Sequence, residues 1–429
     1  MNRSLKERLR SLEQSVARIP PSPAAPTASD NAIEPAAPER LTLAKLGFRQ
    51  EVGPLGPYSV RTLTYDLLTM HGDSRFSDLL AADLTALARV AKLQDVPAAS
   101  SLRFYDTETS GLGTGAGTFP FLHAVGRIVE DELSVDQYLL VDAMDEPALL
   151  AGLLEQHFAE PSVLVSFNGR SFDWPLLQNR LVMHRITDHA RYASAQIGHA
   201  DLLYPSRRLW KSSLGKVSLG HLEQHTLGLT RVDDLPGKEA PARYFSWLRT
   251  GDVNGLAPVL DHNAADVCSL VVLMARVADL LSGRQPAVLA GEHVALGRWY
   301  EEWRAYDLAG ACYEAAAACP DADWRALWLH ALHLKRLGHL HDAARVWELM
   351  HERFADSVLP AVELAKAAEH RDKDWHAAAC WAQRALDRRE RQLIAQGAGI
   401  SATDGTRAAL AHRLERILRK ARTTGAVIS

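Results

Sequence analysis

The most constraining feature of this chain is a change of hydrophobic period. Between residues 41 and 282 short strand-like runs alternate with helical spacing, and beyond that point no strand pattern recurs. LRFYD (102–106), 123–129 and 133–141 read as three neighbouring strands, followed by the apolar run SVLVSF (162–167) and a last candidate at 199–203. Runs this short, bounded by polar residues, suit buried strands. Between them lie a helix with Pro147 in its first turn, where a missing N–H costs nothing, and helical spacing over 172–185. Helices fill the stretch up to 281. Adjacent strands followed by strand–helix alternation predict an α/β fold, a mixed sheet flanked by helices.

Beyond 282 the chain is rich in Ala, Leu and Trp. Tyr313, Trp347 and Trp381 recur at intervals of 34 residues, each with an alanine four residues earlier (Ala309, Ala343, Ala377). That period is the signature of tetratricopeptide-like repeats, stacked helix pairs able to recruit a protein partner. Gly338 suits a turn between paired helices; a plain helical bundle is the alternative. At the other end, Leu5, Leu9, Leu12, Val16 and Ile19 form one apolar seam on a short helix, either docked on its own body or paired as a coiled coil. Six prolines between Pro20 and Pro38 make a linker. The expected organisation is therefore an amphipathic helix (1–19), a Pro-rich linker (20–40), the sheet domain (41–282), an all-α tetratricopeptide-like domain (283–390) and a basic tail (391–429). The stretch 384–422 holds ten Lys/Arg against four Asp/Glu, either a solvated helix face or an arm touching nucleic acid.

The 429 residues exceed one average domain, and a net charge of -4 provides no global field drawing the protein onto nucleic acid. Cys268, Cys312, Cys319 and Cys380 form no C-x-x-C pair, so free buried thiols in a reducing cytoplasm are expected rather than disulfides or zinc. The first 19 residues lack a signal-peptide core, and no apolar run is long enough to span a membrane. A cytoplasmic location is the expectation.

Three elements carry chemistry. Asp106 and Glu108 close a strand as D-T-E, and a spacing of two sends both carboxylates from one face. Asp173, in SFNGRSFDWPLL, opens a helix after a buried strand, where an N-cap is the plain alternative. His262 and Asp266 stand four apart on a helix, hence on one side of it. Together the four carboxylates can hold two Mg²⁺ or Mn²⁺ ions, hard cations that prefer oxygen ligands, and two metals suit in-line phosphodiester hydrolysis. His262 is then the candidate group for orienting or deprotonating water. Residues 170–216 carry eight Lys/Arg against three Asp. Asn168, Arg170, Arg207, Arg208 and Lys211 are thus candidate nucleic-acid contacts, with Trp174, Tyr204 and Trp210 as candidate stacking groups. The glycine-rich turn 111–117 lacks the lysine of a phosphate loop.

The stretches FYDTETSGLG, GTFPFLHAVG, VDQYLLVD, LVSFNGRSFDWPLLQNR, HADLLYPSRRLWK and DHNAADVCSL resemble the DEDD-type 3′–5′ exonucleases of the ribonuclease H-like superfamily. Within that group the chain looks most like the bacterial YprB-type ribonuclease H-like family. The resemblance covers roughly 41–281. It implies a ribonuclease H-like fold, metal ligands at Asp106, Glu108, Asp173 and Asp266, and a nucleic-acid substrate, RNA or DNA. His262 departs from one subgroup, which has tyrosine at that position, and from the other, which spaces its histidine one residue further away. Asp201 is a candidate supporting acid. The expected activity is 3′–5′ exonucleolytic; the alternatives are a ribonuclease H-like endonuclease and a non-catalytic nucleic-acid-binding scaffold.

Overall fold

Alternation within the strand at the centre of the sheet shows how both of its faces come to be buried. In β5 (Leu102–Thr109) Leu102 and Phe104 enter one apolar layer, and Tyr105 the opposite one. The remaining strands are β1 (Arg49–Gly53), β2 (Gly56–Asp66), the short ribbon β3 (Met70–His71) and β4 (Ser74–Arg75), β6 (Pro120–Val129), β7 (Glu132–Leu139), β8 (Ser162–Ser166) and β9 (Ile197–Asp201). The computed structural model describes residues 43–111, 117–186, 197–232, 234–397 and 404–423. The expected helix 1–19, the linker 20–40 and the centre of the glycine-rich turn, 112–116, lie outside the described residues.

Seven strands form one sheet in the order β1-β2-β7-β6-β5-β8-β9. The chain from β1 through β2, β7 and β6 to β5 is antiparallel, whereas β5–β8 and β8–β9 are parallel. The expected mixed sheet is present, with two strands, β1 and β2, that were not anticipated. In β1 Arg49, Gln50 and Val52 are exposed, and in β2 the run 58–61 is buried on both faces with Ser59 and Arg61 in it, so the period of two does not show in the sequence. The last strand begins at Ile197, two residues earlier than expected, and ends at Asp201, whose carboxylate accepts the Leu203 N–H and starts the next helix.

Helices cover the sheet: α1 (Asp78–Ala81), α2 (Thr85–Ala91), α3 (Glu146–Phe158), α4 (Asp173–Met183), α5 (Leu203–Leu214), α6 (Leu219–Thr226), α7 (Ala240–Thr250) and α8 (Val253–Ser282). The 30-residue α8 lies across one face, with Val267, Leu270, Val271 and Met274 packed against Phe104, Ala124 and Val135. Gly126 of β6 permits this approach, since a Cβ there would collide with Val267. On the opposite face Leu149, Leu150 and Leu153 of α3 and Leu177 of α4 pack on Tyr105, Val125 and Leu164. Burying a leucine of this kind contributes roughly 2 kcal/mol.

Among the described residues the remaining elements are helices: α9 (Ala290–Glu302), α10 (Tyr306–Ala318), α11 (Trp324–Arg336), α12 (Leu340–Arg353), α13 (Leu359–Ala367), α14 (Trp375–Ala395) and α15 (Gly405–Thr423). Ala309, Tyr313, Ala343 and Trp347 are buried where these helices meet, but in the third unit Ala378 rather than Ala377 takes the buried position. The first of these helices does not stand apart from the sheet domain. Ala295, Leu296 and Trp299 of α9 share the apolar layer of α8, and Trp210 of α5 donates from Nε1 to Glu292 at 2.8 Å. All four cysteines are free, with Cys268 buried and Cys380 exposed. Among the described residues no helix is long and apolar enough to cross a membrane.

Candidate active site

Strand β5 has an antiparallel neighbour on one side and a parallel one on the other, so its carboxyl end lies where strand direction changes. Crevices at such points are the usual ligand sites of open α/β sheets. Alternation directs Asp106 and Glu108 to the side of α8, and a register shift at Glu108/Thr109 ends regular pairing there. Thr107 faces the other way and donates its hydroxyl to Asp173 Oδ1.

Asp173 opens α4 as its first residue rather than serving as its N-cap, which is Phe172. It is delivered by a tight turn after β8. There Asn168 has φ +71°, and Gly169 lies so close to Ser166 that any Cβ would collide with that side chain. Asp201, 5% exposed, secures this turn. Its carboxylate accepts the N–H of Asn168 at 2.8 Å and of Arg170 at 3.0 Å, besides that of Leu203. Its supporting role is thus to shape the backbone that presents Asp173.

The third group comes from α8. Asn263 donates from Nδ2 to Asp106 at 2.8 Å and is itself fixed by Gln137 of β7 at 2.9 Å. One turn apart, His262 Nε2 lies 3.8 Å from Asp266 and 3.9 Å from Glu108. His262 Nδ1 meets Asp234 Oδ1 at 2.7 Å. Three charged residues outside the sequence motifs, Asp234, Arg231 and Glu223, complete the site. Arg231, between α6 and α7, binds Asp266 at 2.5 Å and also the buried Glu223. A cleft of about 360 Å³ opens beside them, lined by Arg231, Asp234, Asp261 and His262. A larger one of about 700 Å³ between 92–101 and the outer strands contains none of the four carboxylates.

The electrostatics reflect crowded negative charge. Asp106, half-buried by area yet ringed by protein atoms, is pushed well above the usual carboxylate range by desolvation and then by Asp266, Asp173 and Glu108. Burial raises Glu108 to about 8, against the lowering pull of His262. Burial raises Asp173 to about 6, partly offset by the Thr107 hydrogen bond. Burial alone would lower His262, but Asp266, Asp234 and Glu108 raise it.

Oxygen donors in this number suit a hard divalent cation, and their mutual repulsion is what such a cation relieves. As the side chains stand, no group of three or more His, Cys, Asp and Glu among the described residues is in metal-ligand geometry. The reason is visible in the partners just described. Arg231 holds Asp266, Asn263 holds Asp106 and Thr107 holds Asp173. The donor set therefore fits a divalent cation in chemistry, with side-chain rotation required to close around it.

The expected nucleic-acid contacts separate into two groups. Asn168 and Tyr204 are exposed at the turn beside Asp173, where the Tyr204 hydroxyl lies 3.4 Å from that of Ser171. Arg170 reaches backbone carbonyls of His199 and Ala91 at the larger cleft. Arg208 is turned toward α9, 4.4 Å over the Trp299 ring and paired with Glu302. Trp210 is 1% exposed and has no face for a base, while Trp174 meets His199 edge-on. Arg207 and Lys211 are exposed on α5, and Lys211 caps the Gly215 carbonyl.

Comparison with known proteins agrees with this architecture. Residues 103–278, which include all four carboxylates, match the model of an RNase H superfamily family. The chain is also 33% identical over 337 residues, 76% of its length and 80% of the relative's, to the "Uncharacterized protein YprB" of Bacillus subtilis (strain 168). An RNase H-like domain suggests a nuclease, a class that typically uses divalent metals. With this sheet order, this helical region and this extent of identity, the chain belongs to the YprB-type family of ribonuclease H-like proteins.

Proposed function

We propose that the chain is a divalent-metal-dependent nuclease, a 3′–5′ exonuclease on RNA or DNA, with Asp106, Glu108, Asp173 and Asp266 as ligands for two Mg²⁺ or Mn²⁺ ions. The observation that carries this reading is the enclosure of these carboxylates at the carboxyl end of β5, where desolvation and mutual charge raise three of them. A buried acidic cluster of this kind costs stability unless a cation completes it. Bound divalent ions supply Lewis-acid stabilisation of charge on the phosphate. The chain's own residues position the rest. Asp234 holds His262 by Nδ1, leaving Nε2 toward Glu108 and Asp266, where it can take the proton of a water attacking phosphorus as the P–O3′ bond breaks. Asp201 and Gly169 set the turn that places Asp173, and Asn168 and Tyr204 stand beside it for the strand end.

The helical region from 283 to 390 is read as tetratricopeptide-like and as a surface for a protein partner. Its pairs begin at Ala290, Trp324 and Leu359, close to the 34-residue period. A cytoplasmic location is part of the same proposal. The test is hydrolysis of 3′- and 5′-labelled RNA, DNA and hybrid with Mn²⁺ or Mg²⁺. Mononucleotides released from the 3′ end are expected. Internal fragments would convert the reading to an endonuclease, and no hydrolysis of any substrate would remove it.

A further inference from the structure

Arg231 belongs to none of the motifs that define the four carboxylates, yet its guanidinium reaches one of them, Asp266. Its side chain is 12% exposed. From Nη2 it binds Asp266 Oδ1 at 2.5 Å and Glu223 Oε1, while Nη1 lies 3.1 Å from His262 Nδ1 and 3.6 Å from Asp234. Glu223, on α6, is 2% exposed and stands outside the metal quartet. Burial would weaken the positive charge of Arg231, but Asp266 and Glu223 more than restore it. A cation is thus already built into the site, held by one carboxylate assigned to metal and by one that is not.

We infer that Arg231 is an internal countercation that competes with the divalent metal for Asp266, with Glu223 as the tether that keeps it beside the site when Asp266 is released. The inference rests on the metal reading above. While Asp266 Oδ1 is paired with the guanidinium, its negative charge is largely neutralised and it is a poorer donor to a metal ion. A guanidinium left near a doubly charged ion also repels it in a partly desolvated setting. Loading the site is therefore favoured by opening of the Asp266 contact, while the Glu223 contact has no reason to change. Arg231 lowers metal affinity and prevents an unfilled cluster of acids from repelling itself apart.

The test is calorimetric titration of Mn²⁺ into the full-length chain, read as affinity rather than activity, for four forms: wild type, Arg231→Gln, Glu223→Gln and the double variant. Arg231→Gln should bind Mn²⁺ about tenfold tighter or more. Glu223→Gln, which leaves Asp266 as the main partner of Arg231, should bind more weakly, and this loss should vanish in the Arg231→Gln background. If Arg231→Gln does not fold because Glu223 is left buried and unpaired, the double variant carries the comparison and should bind tighter than Glu223→Gln alone. Wild-type binding with equal or weaker affinity in the variants lacking Arg231 overturns the competition and leaves the metal site standing. Absence of Mn²⁺ binding in all four forms overturns the metal reading, and the inference with it.

Discussion

Replacing Glu108 by glutamine should stabilise the metal-free protein. Burial moves this carboxyl from its ordinary 4.5 to about 8. An acid whose folded value is raised loses stability as pH rises from its unfolded value toward its folded one, and recovers it fully only when pH falls back below the unfolded value. At pH 7 the unfolded chain holds this group ionised while the fold holds it largely protonated. That difference costs about 3 kcal/mol at 1.36 kcal/mol per unit. Glutamine is near-isosteric and carries no such cost. Urea unfolding in EDTA should show Glu108→Gln more stable than wild type by up to about 3 kcal/mol at pH 7, shrinking below about 1 kcal/mol by pH 5. Added Mn²⁺ should raise wild type more than the variant, because binding to the folded form is linked to stability. The reasoning fails if the variant is less stable in EDTA at pH 7, or if its advantage is the same at both pH values.

Three further outcomes are expected. Asp201→Ala removes the acceptor for three backbone N–H groups and should cost roughly 2–4 kcal/mol in urea unfolding, together with most of the activity; activity and stability equal to wild type would show that the turn holds itself. His71, His123 and His199 are each lowered by burial to about 4. A base whose folded value is depressed contributes stability that is complete above about 6.5 and lost as pH falls toward 4, so each should cost about 2–3 kcal/mol between pH 6.5 and 4.5, read as the difference between wild type and its own His→Gln variant, in which the opposite gain from Asp106 and Asp173 cancels; a His→Gln variant whose urea midpoint runs parallel to that of wild type over that window contradicts this. A chain ending at 283 leaves Trp210 without Glu292 and uncovers the layer that α9 closes, so it should unfold at lower urea than one ending at 320; equal midpoints would make the helices separable from the sheet.

Much of this site is legible in the sequence. A period of two places Asp106 and Glu108 on one face whatever the rest of the chain does, and a period of 3.6 does the same for His262 and Asp266. The strand before Asp173 is apolar on both sides and announces itself. What could not be read is everything that depends on distant segments meeting. Arg231 reaches Asp266 across 35 positions and Asn263 reaches Asp106 across 157, with no local pattern to signal either. Asp201 was legible as a supporting acid, but not how it supports, because its partners are backbone groups on another loop. Arg208 and Trp210 read as surface cation and stacking ring because the helix that covers them, α9, starts some 80 residues later. The edge strand β1 and its neighbour β2 mix exposed and buried polar residues, so their alternation does not stand out.

The most direct test of the metal-dependent nuclease reading is Mn²⁺-stimulated hydrolysis of a labelled single strand by wild type and by Asp106→Asn, Asp173→Asn and Asp266→Asn, each checked for an unchanged far-ultraviolet circular dichroism spectrum. Loss of at least about a hundredfold in rate in all three folded variants, and in wild type with EDTA, is predicted. Hydrolysis that persists in EDTA or survives these substitutions would contradict it.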